Sequence, residues 1–315
     1  MNEFKIGTYI RKCREELKLS QEELALGICA TSTLSRIENN QQDPSRSLTR
    51  QLLGRLSLPQ ERFLALWDQK SISAAALMRE INNDMIRYCR ALQKDRLQIQ
   101  EQIWEKMKEL EDIATPDDRG AQQFLLSIEA LLDGPDGPRN VEERLAMQLE
   151  AIRLTCPMFD PEDFRHGHYN WDECVLINQI ANSCSDSGKR ERAIDIYRQL
   201  LWYIEKNNKE LAGYGKRFCM VAYNYAINLG LDKQYSKAIE VAERGRQTSL
   251  YYGSFEFLPG FLAVQAESNY YLGEIDESRR LYLRAYYTYD AFEDITNREI
   301  IKKEMQEHLG FDFFE

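Results

Sequence analysis

The strings LSQEELA (19–25) and STLSRIENN (32–40) decide the fold of this 315-residue chain. Ser20, followed three residues on by Glu23, is a capping box. The serine hydroxyl accepts from the Glu23 backbone N–H and the glutamate reaches back to the Ser20 N–H, so a helix begins at Gln21. That helix carries Leu24, Ala25 and Ile28 on its buried side and runs into a turn near Cys29 and Ala30. The next helix, Thr31 to Glu38, buries Leu34 and Ile37 and presents Thr31, Ser32, Thr33 and Arg36. Upstream, Ile6, Ile10, Cys13 and Leu17 recur at helical spacing. Downstream, Pro44 and Ser45 open a helix with Leu48, Leu52 and Leu56, and Pro59 opens a fifth with Phe63, Leu64 and Trp67.

Over residues 4–67 this arrangement resembles the Cro/C1-type helix-turn-helix of phage repressors. The resemblance implies that the N-terminal residues of the third helix face base edges while the second crosses the DNA backbone. Thr31, Ser32, Thr33 and Arg36 are then base-edge candidates, and Gln21, at a helix N-terminus, is a phosphate or base contact. An Arg36 bidentate to guanine discriminates by roughly 1–3 kcal/mol. Ser and Thr also cap helix starts, so Thr31 and Ser32 have a purely local alternative use. Arg14 and Glu38 fall where the family places a buried ion pair tying the first helix to the end of the third. Ala30 stands where the family often has a Ser or Thr cap, so capping comes from Thr31 or is absent.

Beyond the first 68 residues nearly every segment reads as helix, and the eight prolines sit at boundaries, which makes the fold class all-α. Small residues at 71–76 mark a linker over 69–76, although alanine equally continues a helix. Three later segments align: ANSCSDSGKRERAIDIY (181–197), AINLGLDKQYSKAIEVA (226–242) and AESNYYLGEIDESRRLY (266–282). Their recurring small residues are Ala181/Ala193, Ala226/Ala238 and Ala266/Ser278, the points where two helices of a hairpin approach most closely. This resembles the tetratricopeptide repeat with a stretched period. Residues 77–113 and 121–155 are expected to form degenerate hairpins of the same kind. The repeat domain then covers 77–293 as about five hairpins in a right-handed superhelix, with a capping helix in 294–315.

Composition sets bounds on function. Hydrophobic residues at 43% and charged residues at 29% describe a globular protein with no run of apolar residues long enough for a membrane span. The N-terminal segment has charges threaded through its apolar positions, unlike a signal peptide, so a cytoplasmic protein is expected. Seven cysteines without a CxxC pair indicate reduced, buried thiols rather than a disulfide framework. The net charge of −10 divides unevenly: residues 1–68 carry ten Lys/Arg against nine Asp/Glu, and the remainder carries −11. An acidic body repels bulk DNA, so nucleic-acid contact belongs to the head and dimerisation must supply affinity. His166 and His168, near Asp160 and Asp163, lack the helical spacing of a metal site, and no nucleophile elbow or phosphate-binding glycine loop occurs. Neither an enzyme nor a cofactor or metal is expected.

A Cro-type head followed by five helical hairpins resembles the RNPP family, regulators that bind short signalling peptides in Gram-positive bacteria; the segment 176–205 is particularly similar to a central repeat of that family. The resemblance implies a homodimer that binds double-stranded DNA at an inverted-repeat operator and whose repeats take up an oligopeptide. In the tetratricopeptide register, Ala181 as eighth residue makes Asn178 fifth and Asn182 ninth, and Ala226 makes Asn224 sixth. Asparagine both donates and accepts, which suits an extended peptide backbone of any sequence. Asn178, Asn182 and Asn224 are the expected peptide-binding residues, with Tyr223 and Glu267 reading ligand side chains. Gly260 and Val264 stand where a carboxylate clamp for chaperone tails needs basic residues. The alternatives are repeats that bind a protein partner, or an antitoxin-like component whose DNA binding is autoregulatory.

Overall fold

The computed structural model describes residues 5–56, 58, 69–90, 93–114, 118–132, 139–207, 209 and 213–310. Regular structure among them is entirely helical: α1 (Ile6–Glu16), α2 (Gln21–Ala25), α3 (Thr31–Glu38), α4 (Arg46–Arg55), α5 (Gln69–Arg90), α6 (Gln93–Ile113), α7 (Arg119–Glu129), α8 (Val141–Thr155), α9 (Trp171–Asp186), α10 (Arg190–Asn207), α11 (Tyr214–Leu231), α12 (Tyr235–Tyr252), α13 (Leu258–Tyr271), α14 (Ile275–Ala291) and α15 (Ile295–Leu309). The fifth helix expected for the head, with Phe63, Leu64 and Trp67, lies outside the described residues. The chain divides into two compact units, residues 1–180 and 181–315.

Unit 1 opens with the head. Ile10, Leu24, Leu34, Ile37, Leu52 and Leu53 are fully buried and form its core. The expected capping box is present: Glu23 N–H donates to Ser20 Oγ at 3.1 Å and Ser20 N–H to Glu23 Oε2 at 2.6 Å. Leu17, expected on the buried face of the first helix, is half exposed instead. It is the C-cap of α1, and the left-handed turn at Lys18 (φ 57) hands the core position to Leu19. The run 71–76 lies inside α5, where alanine continues a helix. Helices α5, α6 and α7 share a second core around Ile81, Ile103, Leu110 and Ile128.

Unit 2 is built from hairpins. Ala226 and Ala238 of α11 and α12, and Ala266 and Ser278 of α13 and α14, are fully shielded from solvent, as crossing points of packed helices require. A larger side chain there has no room without spreading the pair. Leu262, Tyr282, Ala285, Ile301 and Met305 form the C-terminal core, in which α15 closes the array. No described helix is long and apolar enough to cross a membrane.

Candidate nucleic-acid interface and ligand groove

In the head, a buried polar network lies beneath α3. Arg14 Nε and Nη2 donate to the two carboxylate oxygens of Glu38 at 2.6 and 2.8 Å, and Arg14 Nη1 donates to the Leu19 carbonyl at 2.7 Å. Hydrogen bonding to Glu38 holds the Arg14 guanidinium above its ordinary pKa. Gln21 Nε2 donates to the same Glu38 carboxylate at 2.7 Å, so this expected DNA contact is half-buried and tied to the network. Ala30 is the N-cap of α3 and supplies no side-chain cap, while its carbonyl accepts from the Thr33 and Leu34 N–H groups at 2.9 and 3.2 Å. Of the base-edge candidates, Ser32 and Arg36 are exposed, whereas Thr31 and Thr33 are half-buried.

The charge of the head is arranged in a way the sequence does not disclose. Arg50 and Arg55 on α4, which count as basic residues of a DNA-binding domain, are buried. Arg50 Nη2 donates to both oxygens of Asp118, at 2.6 and 2.5 Å. Arg55 Nη2 donates to the Thr155 carbonyl at 2.8 Å and lies 3.5 Å from Glu173 Oε1. With Arg14 they withdraw three of the ten basic residues from any contact with phosphate.

The candidate ligand residues divide between the units. Asn178, in unit 1, is buried, with 4% exposure. In unit 2, Asn182 is half-buried and its Oδ1 accepts from the hydroxyl of Tyr197, which leaves its amide N–H groups as the donors for a ligand. Asn224 is half-buried and its carbonyl accepts from Asn228 Nδ2 at 2.9 Å, while Asn228 Oδ1 accepts from Ser185 Oγ at 2.5 Å. Neither Ser185 nor Asn228 was singled out in the sequence, although Ser185 is twelfth in the register set by Ala181. Tyr223 packs edge-on to Phe261 with ring centroids 5.8 Å apart and pairs with Tyr289. Its ring occupies the space a Cβ at Gly260 would take, 2.6 Å away, so glycine is required there by close approach. Glu267 is half-buried beside Tyr271, Tyr282 and Glu304. Burial pushes the Glu304 carboxyl up to about 7, with Glu267 and Glu307 adding like charge.

No group of His, Cys, Asp or Glu among the described residues is arranged to hold a metal ion. Burial lowers the His168 pKa while the Glu23 charge opposes that shift. Cys13, Cys156, Cys174, Cys184 and Cys219 are buried thiols outside any disulfide, and burial pushes Cys219 up to about 12, which makes it a poor nucleophile.

Two family models match the chain: a helix-turn-helix over residues 10–56 and the RNPP family C-terminal domain over 163–309. Between them they span more than half of its length. No curated protein matches the sequence. Among solved structures, Bacillus thuringiensis PlcR in complex with the peptide PapR7 and DNA is similar at 20% identity and a TM-score of 0.58, covering 94% of this chain and 98% of that one. PlcR in its apo form gives 19%, 0.58, 94% and 97%. The apo competence regulator ComR from Streptococcus vestibularis aligns at 15% identity and a TM-score of 0.49, covering 96% and 98%.

Proposed function

The chain belongs to the RNPP family, a helix-turn-helix head joined to the family's C-terminal domain, and from that premise we propose that it is a cytoplasmic, sequence-specific transcription regulator whose repeats bind a short signalling peptide that modulates DNA binding. The observation that carries the reading is the pairing, on one chain, of a helix-turn-helix match that includes all of α3 with an RNPP match that includes α9 to α14. The PlcR structure, which holds a peptide and DNA together, supports the same pairing of activities.

The head reads DNA through Ser32 and Arg36, with Thr31 and Thr33 beside them and Gln21 at the backbone. With Arg14 and Glu38 paired and Arg50 and Arg55 buried, seven basic residues are left to the head against eight acidic ones, which makes a single copy a weak binder, so two copies act together as a homodimer on an inverted-repeat operator. The peptide lies in extended form against Asn182 and Asn224, whose side chains hydrogen-bond its backbone, with Tyr223 and Glu267 meeting its side chains. Mass spectrometry of peptides that co-purify with the protein identifies the ligand, and selection from random double-stranded DNA identifies the operator. The reading predicts that the recovered peptide raises the thermal midpoint of the full chain and that N182A/N224A abolishes the rise without loss of helix. An unchanged rise removes the groove assignment.

A further inference from the structure

Among the described residues, the head is fastened to α7, α8 and α9 of its own unit at three places. At the first, Arg50 is captured by Asp118, which is also the N-cap of α7, its Oδ1 accepting from Ala121 N–H at 3.1 Å. At the second, Arg55 meets the end of α8 and the start of α9. Besides its bonds to the Thr155 carbonyl and Glu173, its Nη1 donates to the Leu26 carbonyl at 3.2 Å within the head. Glu173 is wholly buried and fully used. Its Oε1 accepts from Thr155 Oγ1 at 2.7 Å, its Oε2 accepts from Asn170 N–H at 2.7 Å, and its own N–H donates to Asn170 Oδ1 at 3.0 Å, a capping box for α9. At the third, the turn between α2 and α3 lies on α8. Gly27 has φ +75, and a Cβ there would come within 2.2 Å of the Thr155 carbonyl oxygen. Arg119 Nη1 donates to the Gly27 carbonyl at 3.2 Å.

The same construction thus occurs twice: an arginine of α4 held by an acid whose place is already set by capping a helix N-terminus. The helix dipole favours the anion there, so each acid is held by its own helix as well as by the arginine. Buried ion pairs add little net stability compared with apolar packing, but they tolerate only one geometry. What two such pairs on one short helix supply is orientation.

We propose that Arg50 and Arg55 are positioning residues for DNA reading: by fixing α3 relative to α7, α8 and α9 they set the separation at which a dimer can read two half-sites. The proposal rests on the DNA-binding dimer argued above. A helix-turn-helix dimer engages half-sites about one helical turn, roughly 34–36 Å, apart. Each inserted base pair shifts a half-site by about 3.4 Å and rotates it by roughly a tenth of a turn, which a fixed head cannot follow and a free one can. Ser32 and Arg36 stay exposed while both pairs are made, so fastening and reading are compatible.

The test uses the full chain on its selected operator and on versions with one to four base pairs added or removed between half-sites. D118N/E173Q is the first variant, because Asn caps and Gln completes a capping box nearly as well as the acids they replace. R50M/R55M is the second and removes the cations. Wild type is expected to lose on the order of 100-fold in affinity at each wrong spacing, the loss of one tethered contact. The variants should lose under about 5-fold across the series, since a loosely tethered second head still engages. Helical content and affinity for an isolated half-site should be unchanged. A wild type that tolerates every spacing, or folded variants as strict as wild type, overturns the proposal. Failure of wild type to select any DNA overturns the reading beneath it instead.

Discussion

The head and the second unit present polar side chains in opposite ways. In the head, the groups proposed to read base edges stand apart from the ion pair that holds the domain together, and Gln21 alone belongs to both sets: Ser32 and Arg36 are exposed, while Arg14, Gln21 and Glu38 bind one another beneath them. In the second unit the two jobs fall on the same residues. Asn182 is paired with Tyr197, Tyr223 is packed on Phe261 and paired with Tyr289, and Glu267 shares its surroundings with Glu304. The head's proposed reading groups are therefore ready for a partner as they stand, whereas the residues proposed to meet a ligand in the second unit already hold contacts of their own. A site of the second kind changes the packing of its own helices when it fills, which is what a sensor requires.

The comparison is broken most forcefully at the head's ion pair. Arg14→Ala or Glu38→Ala leaves a buried charge without its partner and should cost about 3–5 kcal/mol of head stability by chemical denaturation. DNA binding should be lost with it, while the unfolding transition of the second unit stays in place. Arg36→Ala makes the opposite demand. It should weaken operator binding by roughly 1–3 kcal/mol, with the loss concentrated at one base pair of the site, and leave stability unchanged within about 0.5 kcal/mol. If Arg36→Ala unfolds the head, the separation of reading from holding is wrong.

In the second unit the largest expected effect is a pH dependence. Glu304 titrates at about 7 in the folded chain against an ordinary 4.5, so the folded state holds its proton more tightly than the unfolded state. Its contribution is fully present below pH 4.5 and is lost as pH rises through 7. After allowance for solvent screening, thermal stability of this unit should fall by roughly 1–2 kcal/mol over that window, and Glu304→Gln should flatten the fall. Glu243 acts in the other direction. Its bond to Arg246 holds it at about 2, and the stability it adds above its ordinary 4.5 is lost as pH drops toward 2. The smallest effect sharpens the comparison most. Tyr197→Phe removes the hydroxyl that occupies Asn182 Oδ1 and should cost about 1 kcal/mol of stability. It should also tighten peptide binding, because the ligand no longer competes for that oxygen, as isothermal titration would show.

What the sequence disclosed follows the range of the interactions involved. The start of α2 at Gln21, the start of α3 at Thr31 and the crossing points at Ala226/Ala238 and Ala266/Ser278 rest on residues within one hairpin of each other, and all were legible; the sequence leaves open whether Thr31 caps α3. The Arg14–Glu38 pair came from the resemblance to a known motif, since nothing in 24 residues of separation dictates it. The fastening of the head was not legible at all. Arg50 meets Asp118 across 68 positions and Arg55 meets Glu173 across 118, with no local signal at either end. Composition alone assigned both arginines to the charge of a DNA-binding domain. In the second unit the register at Ala181 singles out Asn182, but could not show that Tyr197, fifteen residues on, engages its oxygen. Leu17 misled because helical periodicity was carried one residue past the point where Lys18 turns the chain left-handed.

The most direct test of the account is the affinity of the full chain for its selected operator, measured by fluorescence anisotropy with and without the peptide that co-purifies with it. The account predicts that the peptide changes operator affinity by about 5-fold or more, the ordinary scale of coupling between two sites, and that N182A/N224A removes the change while leaving peptide-free DNA binding intact. An operator affinity that is the same with and without saturating peptide would contradict it.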